Sequence, residues 1–355
     1  KWLVYNKRAD FKAIGEKYHI DPVVARILVN RDVGDDASIA AYLHPSKQDL
    51  GDAGLLQDMD KAIALLQKAI QQNTKIRIIG DYDIDGIQST YILHQGLLRV
   101  GADADYAIPD RIEDGYGVNI RLMERCVMDG IGLVITCDNG IAAAEAIAYA
   151  KKEGLTVIVT DHHEVPYELV NGKKEYHLPP ADAVIDPKRE DCAYPCKKLC
   201  GAVVAWKVIL QLYQQYGIPE EEAMAFIENA AFATIGDVME LVEENRTIVA
   251  LGLERLRHTK NIGMQTLIAR CDLSMDGISA YHIGFVLGPC LNASGRLDSA
   301  TKALQLLEAE DTAEAARLAE ELRQLNEERK VMTEKGIAQA IREIEQKELM
   351  QDAVL

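Results

Sequence analysis

Three short apolar runs in this chain each end on acid, and that repeated pairing limits the fold more than any other feature. Ile76-Arg77-Ile78-Ile79 leads into Gly80-Asp81-Tyr82-Asp83-Ile84-Asp85-Gly86. Leu133-Val134-Ile135-Thr136 leads into Cys137-Asp138-Asn139-Gly140, and Val157-Ile158-Val159-Thr160 into Asp161-His162-His163. Each run has the length and branched side chains of a buried strand, and each precedes a helical pattern. Strands are expected near 75–80, 104–108, 133–137, 156–160 and 181–185. Repeated βα units of this kind argue an α/β fold, with a parallel β-sheet flanked by helices on both faces. In such a sheet the carboxyl ends of the strands share one edge, where ligands bind. The acids and both histidines are therefore expected to converge.

Taken singly, each piece has an ordinary reading. An Asp at a strand end is usually a turn former or helix cap, and a His-His pair is usually packing or surface. Together they repel and desolvate one another unless cations sit among them. The arrangement points to a two-metal hydrolytic centre. Carboxylates with a few imidazoles suit Mn²⁺ or Mg²⁺, and two such ions roughly 3.5–4 Å apart assist an in-line displacement at phosphorus. Asp138, on the central strand, is the candidate bridging ligand. Asp81, Asp83, Asp85 and His162 are candidate ligands beside it. His163 either ligates or polarises a phosphate oxygen, and Asp161 orients a histidine by hydrogen bond.

The rest of the chain is read more coarsely. With 355 residues, 48% of them hydrophobic, it can bury a large core and is expected to form two subdomains. Residues 1–50 read as an opening strand at Trp2–Tyr5 and helical pieces ending near Pro45. Helical spacing follows through Met59, Ala62, Ile63, Leu66 and Ile70. Residues 51–200 form the α/β core, and 201–310 an added helical subdomain. Residues 311–355 form one long charged C-terminal helix, capped at Asp311 with Glu314 and loosened at Gly336. Its stripe of Leu318, Leu322, Leu325 and Met332 is thin, as in a coiled coil or a strut between domains. No apolar run reaches membrane-spanning length and no signal peptide is visible. Seven cysteines in no disulfide pattern suggest a reducing cytoplasm. Cys192, Cys196 and Cys200 recur every four residues without an obvious fourth ligand, and are read as reduced loop thiols rather than a zinc site. The chain begins at Lys1 rather than Met, as a fragment or processed chain would.

A formal charge of −17 argues against a broad nucleic-acid surface. Binding depends on the local field, however, and divalent ions offset acid at the site. Arg111, Lys188, Arg189, Lys197, Lys198 and Arg296 are candidate phosphate contacts lining a narrow channel. Asn292-Ala293-Ser294-Gly295-Arg296 has small residues that let the backbone approach a phosphate, and an Arg that can clamp it. Tyr116, between Gly115 and Gly117, can stack on a base.

The ordered set GDYDIDG, DNG and TDHHE resembles the DHH phosphoesterase superfamily. RIEDGYGVN from Arg111, AVIDPK from Ala183, LCGA from Leu199, TIGD from Thr234 and GPCLNASGRL from Gly288 narrow the resemblance to the RecJ type, the single-stranded-DNA-specific exonucleases. It runs from about residue 50 to 310 in the family's order. It implies that Asp237, an ordinary acid by pattern alone, is the last metal ligand, and that Arg296 contacts the scissile phosphate. It further implies 5′-to-3′ hydrolysis of single-stranded DNA in repair and recombination, beside a single-strand-binding protein and a helicase. In that family a long helix leads to a second catalytic half, DHHA1, whose motifs are absent here. Residues 1–355 are therefore expected to fold, bind Mn²⁺ and degrade single strands feebly. One rival is a DHH hydrolase of oligoribonucleotides, cyclic dinucleotides or pyrophosphate. The other is an inactive DHH-fold DNA-binding module, against which the full set of acids and histidines counts.

Overall fold

The computed structural model of the chain describes residues 7–109 and 117–346. The expected opening strand at Trp2–Tyr5 lies outside the described residues, as do Arg111 and Tyr116. Helices α1 (Phe11–Tyr18), α2 (Pro22–Asn30) and α3 (Asp36–Leu43) come first, around a small core of Leu28, Val33 and Ile39. Asp10, Asp21 and Asp35 cap them, each accepting a bond from a backbone N–H of the first turn. Helix α4 (Met59–Gln71) then buries Met59, Ala62, Ile63 and Leu66, the stripe its spacing predicts.

Strands β1 (Ile76–Ile79), β2 (Ala104–Ala107), β3 (Leu133–Cys137), β4 (Thr156–Thr160) and, after a hairpin, β7 (Ala183–Ile185) form one sheet. Its order is β2-β1-β3-β4-β7, with every neighbouring pair parallel. The five strands stand where the apolar runs put them. Alternate side chains go to opposite faces. Ile76, Ile78, Leu133, Ile135 and Ile158 join a core with α4 and α5 (Ile84–Arg99), completed by α8 (Gly201–Gln215). Ile79, Val134, Val157 and Val159 pack on α6 (Ile120–Met128) and α7 (Ala144–Lys152). The hairpin, β5 (Tyr167–Val170) with β6 (Lys173–Tyr176), is antiparallel and exposed throughout, and the sequence pattern did not announce it.

From α8 onward the described chain is helical, as expected: α9 (Glu220–Met224), α10 (Ile227–Gly236), α11 (Glu243–Leu256), α12 (Ile262–Arg270), α13 (Ala280–His282), α14 (Gly288–Leu297), α15 (Thr301–Glu308) and α16 (Thr312–Gln346). A π-helical turn, Ile283–Leu287, joins α13 to α14. A second apolar cluster packs Ile84 and Ile87 of α5 against α12, α14, α15 and the first half of α16. Asp311 accepts from the Glu314 N–H at 2.9 Å, giving the expected start of α16. That helix runs unbroken through Gly336, so the anticipated loosening there is absent. Leu318 and Leu322 are buried on the body, whereas Val331, Met332, Ile337 and Ile341 beyond them are exposed. Cys192, Cys196 and Cys200 are all buried and free, and the groupings of ligand-type side chains among the described residues include no cysteine.

One buried ionic network fixes α8, whose first turn reaches the sheet edge. Lys207 is 1% exposed and donates to Glu244 Oε1 and to the Gly51 carbonyl, both at 2.6 Å. Tyr194 donates to the other Glu244 oxygen at 2.6 Å. Removing one member leaves an uncompensated charge in the core. Glu244→Ala should cost about 3–5 kcal/mol in urea unfolding, and the paired replacement Lys207→Met with Glu244→Leu should recover most of it. Equal losses in the single and paired variants would show that the network's charges do not oppose one another in this way.

Candidate metal centre

The carboxyl ends of β1, β3 and β4 deliver their acids to one spot. Asp81 follows β1, Asp138 follows β3 and Asp161 follows β4, and each is about 1% exposed. Asp83 caps α5, its Oδ1 accepting from the N–H groups of Asp85 (3.0 Å) and Gly86 (3.1 Å). Asp85 is wholly buried, and its two oxygens accept from Gly201 (2.6 Å) and Ala202 (2.7 Å) at the start of α8. The positive end of that helix therefore faces a buried carboxylate. Asp237 sits at the end of α10 and completes the ring.

His162 lies at the centre. Its Nε2 is 3.0 Å from Asp138 Oδ1, 3.4 Å from Asp85 Oδ2 and 3.8 Å from Asp237 Oδ2. Three sets of ligand-type atoms lie within 4.8 Å of one another: Asp138, His162 and His163; Asp85, His162 and Asp237; and Asp81, Asp83 and Asp138. Asp138 and His162 each belong to two sets that otherwise share no residue, and of the two only the carboxylate has a second oxygen with which to bridge. Its Oδ1 is buried without a directed hydrogen bond despite the nearby imidazole, and His162 Nδ1 is also unpartnered. Oxygen and nitrogen donors gathered around unsatisfied buried atoms fit a pair of hard divalent cations.

Small residues make this approach possible. A Cβ on Gly201 would stand 2.7 Å from that of Asp138, and one on Gly86 would collide with the Asp81 carbonyl. Asp138 itself adopts φ 59°, a left-handed conformation that costs energy in a residue other than glycine.

The electrostatics follow from crowding. Burial, then Asp83, pushes the Asp81 carboxyl up to about 7. Burial, then Asp85 and Asp83, does the same for Asp237. Asp138 is raised well above the carboxylate range by burial and by Asp85, and burial also raises Asp85. Burial lowers His162, keeping its imidazole neutral and able to ligate. Asp161 behaves differently. Burial would raise it, but bonds from His163 and from the N–H groups of Ile141 and His162 bring it below the usual range. In return Asp161, 2.7 Å from His163 Nδ1, holds His163 up at about 9.

The sequence-chosen substrate residues fare unevenly. The GPCLNASGRL stretch is helix α14, and the small size of Gly295 serves a close approach to the Tyr82 carbonyl. Asn292 Oδ1 accepts from the Ile84 N–H at 2.7 Å and so holds the acidic turn. Ser294 is fully buried and donates to the Leu291 carbonyl within its own helix, so it cannot meet a substrate. Arg296 is exposed and follows Gly295, whose backbone meets that turn. Arg189 is instead a buried strut on Asp58, Asp191 and the Val184 carbonyl. Lys197 bonds the Cys192 carbonyl and Lys198 pairs with Glu240. Lys188 remains near the site, 3.2 Å from Glu164. Two buried groups went unassigned in the sequence. Asp186, closing β7, has one unpartnered oxygen and is raised to about 7 by burial, and the Asn139 amide has no partner at either atom. Asp186 obeys the strand-end rule that found the others.

The raised carboxyls set the pH response. Each protonates more readily folded than unfolded. In metal-free protein they contribute stability that is full below the ordinary carboxylate range and lost as pH rises through about 7. Cation binding needs the same groups ionised. The gain in Tm from saturating Mn²⁺ should therefore be small near about pH 5 and grow towards about pH 8. A gain independent of pH would remove these acids from the ligand set.

Comparison with known proteins bears on the family and the fold. The profile of the DHH family, N-terminal domain, matches residues 75–235. The single-stranded-DNA-specific exonuclease RecJ of Bacillus subtilis (strain 168) is 38% identical over 356 residues, covering all of this chain and 43% of that protein. A crystal structure of exonuclease RecJ bound to manganese superposes with a TM-score of 0.72 at 33% identity, over 81% of this chain and 70% of the other. RecJ from Thermus thermophilus in complex with Mn²⁺ gives 0.77 at 28% identity, over 95% of this chain and 46% of the other. The chain spans about half the length of the curated relatives it matches. By sequence identity over its whole length and by fold, the chain belongs to the RecJ type of the DHH family.

Proposed function

We propose that this chain carries the metal-binding part of a 5′-to-3′ exonuclease that hydrolyses single-stranded DNA, with two Mn²⁺ or Mg²⁺ ions. The observation that carries the reading is the place of buried Asp138, grouped with Asp81 and Asp83 on one side and 3.0 Å from His162, itself grouped with Asp85 and Asp237, on the other. The relatives named as single-stranded-DNA-specific exonucleases, and the manganese in two RecJ structures, support the substrate and the metal. A single-strand-binding protein and a helicase are the partners this reading brings with it.

Each residue then has a role. Asp81, Asp83, Asp85, Asp138, His162 and Asp237 are the residues that would hold the two ions. When bound, such a pair supplies Lewis acidity to a phosphodiester and eases the deprotonation of water. His163, kept protonated by Asp161, donates to a non-bridging phosphate oxygen. Arg296, next to Gly295, clamps the same phosphate. Asn292 holds the turn in place, and Arg111 and Tyr116 contact the strand's backbone and a base.

The direct test follows a 5′-phosphorylated, 3′-labelled single strand in Mn²⁺, beside a dinucleotide and pyrophosphate. Stepwise shortening of the long strand from its 5′ end supports the proposal. Turnover of only the small substrates favours the rival hydrolase class, and tight binding without turnover favours an inactive module. Arg296→Ala should lower kcat/KM on the strand about 30-fold, equivalent to about 2 kcal/mol of lost charge-assisted contact. Mn²⁺ binding by calorimetry should stay unchanged. Unaltered kcat/KM would remove Arg296 from the phosphate site.

A further inference from the structure

Seven free cysteines are distributed through the molecule, and two of them meet away from the metal centre. Cys271 ends α12 and Cys290 lies in the first turn of α14. Their sulfurs are 4.0 Å apart. Both line a cavity of about 590 Å³ between α12, α14 and α16, together with Phe285, Arg323, Asn326 and Lys330. Cys271 is part-exposed at this cavity, whereas the other six cysteines are buried.

We propose that Cys271 and Cys290 form a redox-active dithiol that a peroxide converts to an intramolecular disulfide. Cys271 is the thiol that attacks. The neighbouring Cys290 thiol lowers its pKa, opposed by burial and aided by Arg323 and Lys330, while Asp272 acts the other way. Arg323 and Lys330 are themselves paired with Glu320 and Glu327, so they soften rather than dominate the field. Cys137 and Cys196, by contrast, are pushed by burial to about 12 and about 11. Thiolate character and access together decide which cysteine reacts.

The chemistry balances with peroxide as the only co-reactant. The Cys271 thiolate attacks one peroxide oxygen, forming an S–O bond as the O–O bond breaks. Sulfur is oxidised to sulfenic acid and the other oxygen leaves as water after taking a proton. Cys290 then attacks the sulfenic sulfur, forming the S–S bond, and its proton leaves with the hydroxyl as a second water. The sulfurs must close by roughly 2 Å to reach bonding distance. Cys271 sits at a helix end, where the last turn adjusts most readily. Cys290 is held by its own bond to the Val286 carbonyl (3.3 Å) and by the Asn326 amide (3.6 Å). The link would tie α12 to the helix that bears Asn292 and Arg296. It does not depend on what the metal centre hydrolyses.

The test treats the whole chain with hydrogen peroxide, then alkylates free thiols and maps peptides before and after reduction. Two of the seven thiols should be lost together, in a Cys271–Cys290 cross-link that a thiol reductant reverses. In Cys290→Ser, Cys271 should stop at a sulfenic acid that dimedone traps. Cys271→Ser, a change at a part-exposed position, should slow thiol loss at least about tenfold. Seven thiols intact under peroxide would overturn the proposal. So would faster loss at the other five, or thiol loss in Cys271→Ser at the rate of the unaltered chain.

Discussion

Like charge held out of water at one edge of a parallel sheet is the constraint on which the rest of this structure depends. Asp81, Asp85, Asp138 and Asp161 are almost wholly buried within one small volume. Burying ionised carboxylates side by side costs several kcal/mol each unless cations or strong donors compensate. Two kinds of compensation are built in. Asp85 and Asp161 are satisfied by backbone N–H groups, from the start of α8 and from Ile141 and His162. Asp138 is left with an unpartnered oxygen and a left-handed backbone.

That division of labour explains the scaffold around the site. Helix α8 must reach Asp85 with its first turn, so Gly201 is pressed against Asp138, and the Lys207–Glu244 network fixes the helix further along. Helix α14 must reach the acidic turn, so Gly295 meets the Tyr82 carbonyl and Asn292 holds Ile84. The elements that follow the sheet are thus structural supports for the acids as well as carriers of Arg296. A π-helical turn lies immediately before α14, and such turns shift the phase of the helix that follows.

The two histidines of the pair divide by the same logic. His162 is buried among carboxylates and stays neutral, because its desolvation outweighs their attraction. His163 is half-exposed and directly bonded to Asp161, and it stays charged. Adjacent, chemically identical side chains acquire opposite protonation states from their surroundings alone, one suited to holding a cation and the other to meeting an anion.

The sheet was legible in the amino-acid order because strand periodicity and strand-end chemistry are local. The runs at 76–79, 133–137 and 156–160 are apolar, branched and closed by acid, and parallel pairing then sends Asp81, Asp138 and Asp161 to one edge. The helical spacing of α4 and of the first half of α16 was equally plain. What residues distant in sequence do to one another was not. Ser294 faces the core and Arg189 is an internal strut because of helix phase and of Asp58, 131 residues away. Asp237 looks ordinary until α10 brings it to His162, and Asp85 cannot be recognised as the cap of α8 from its own turn. The order of residues sets which elements form and which chemistry they carry. Only the packing of those elements decides which acid finds a donor and which buried oxygen is left without one, because burial and distance in space alone set those energies.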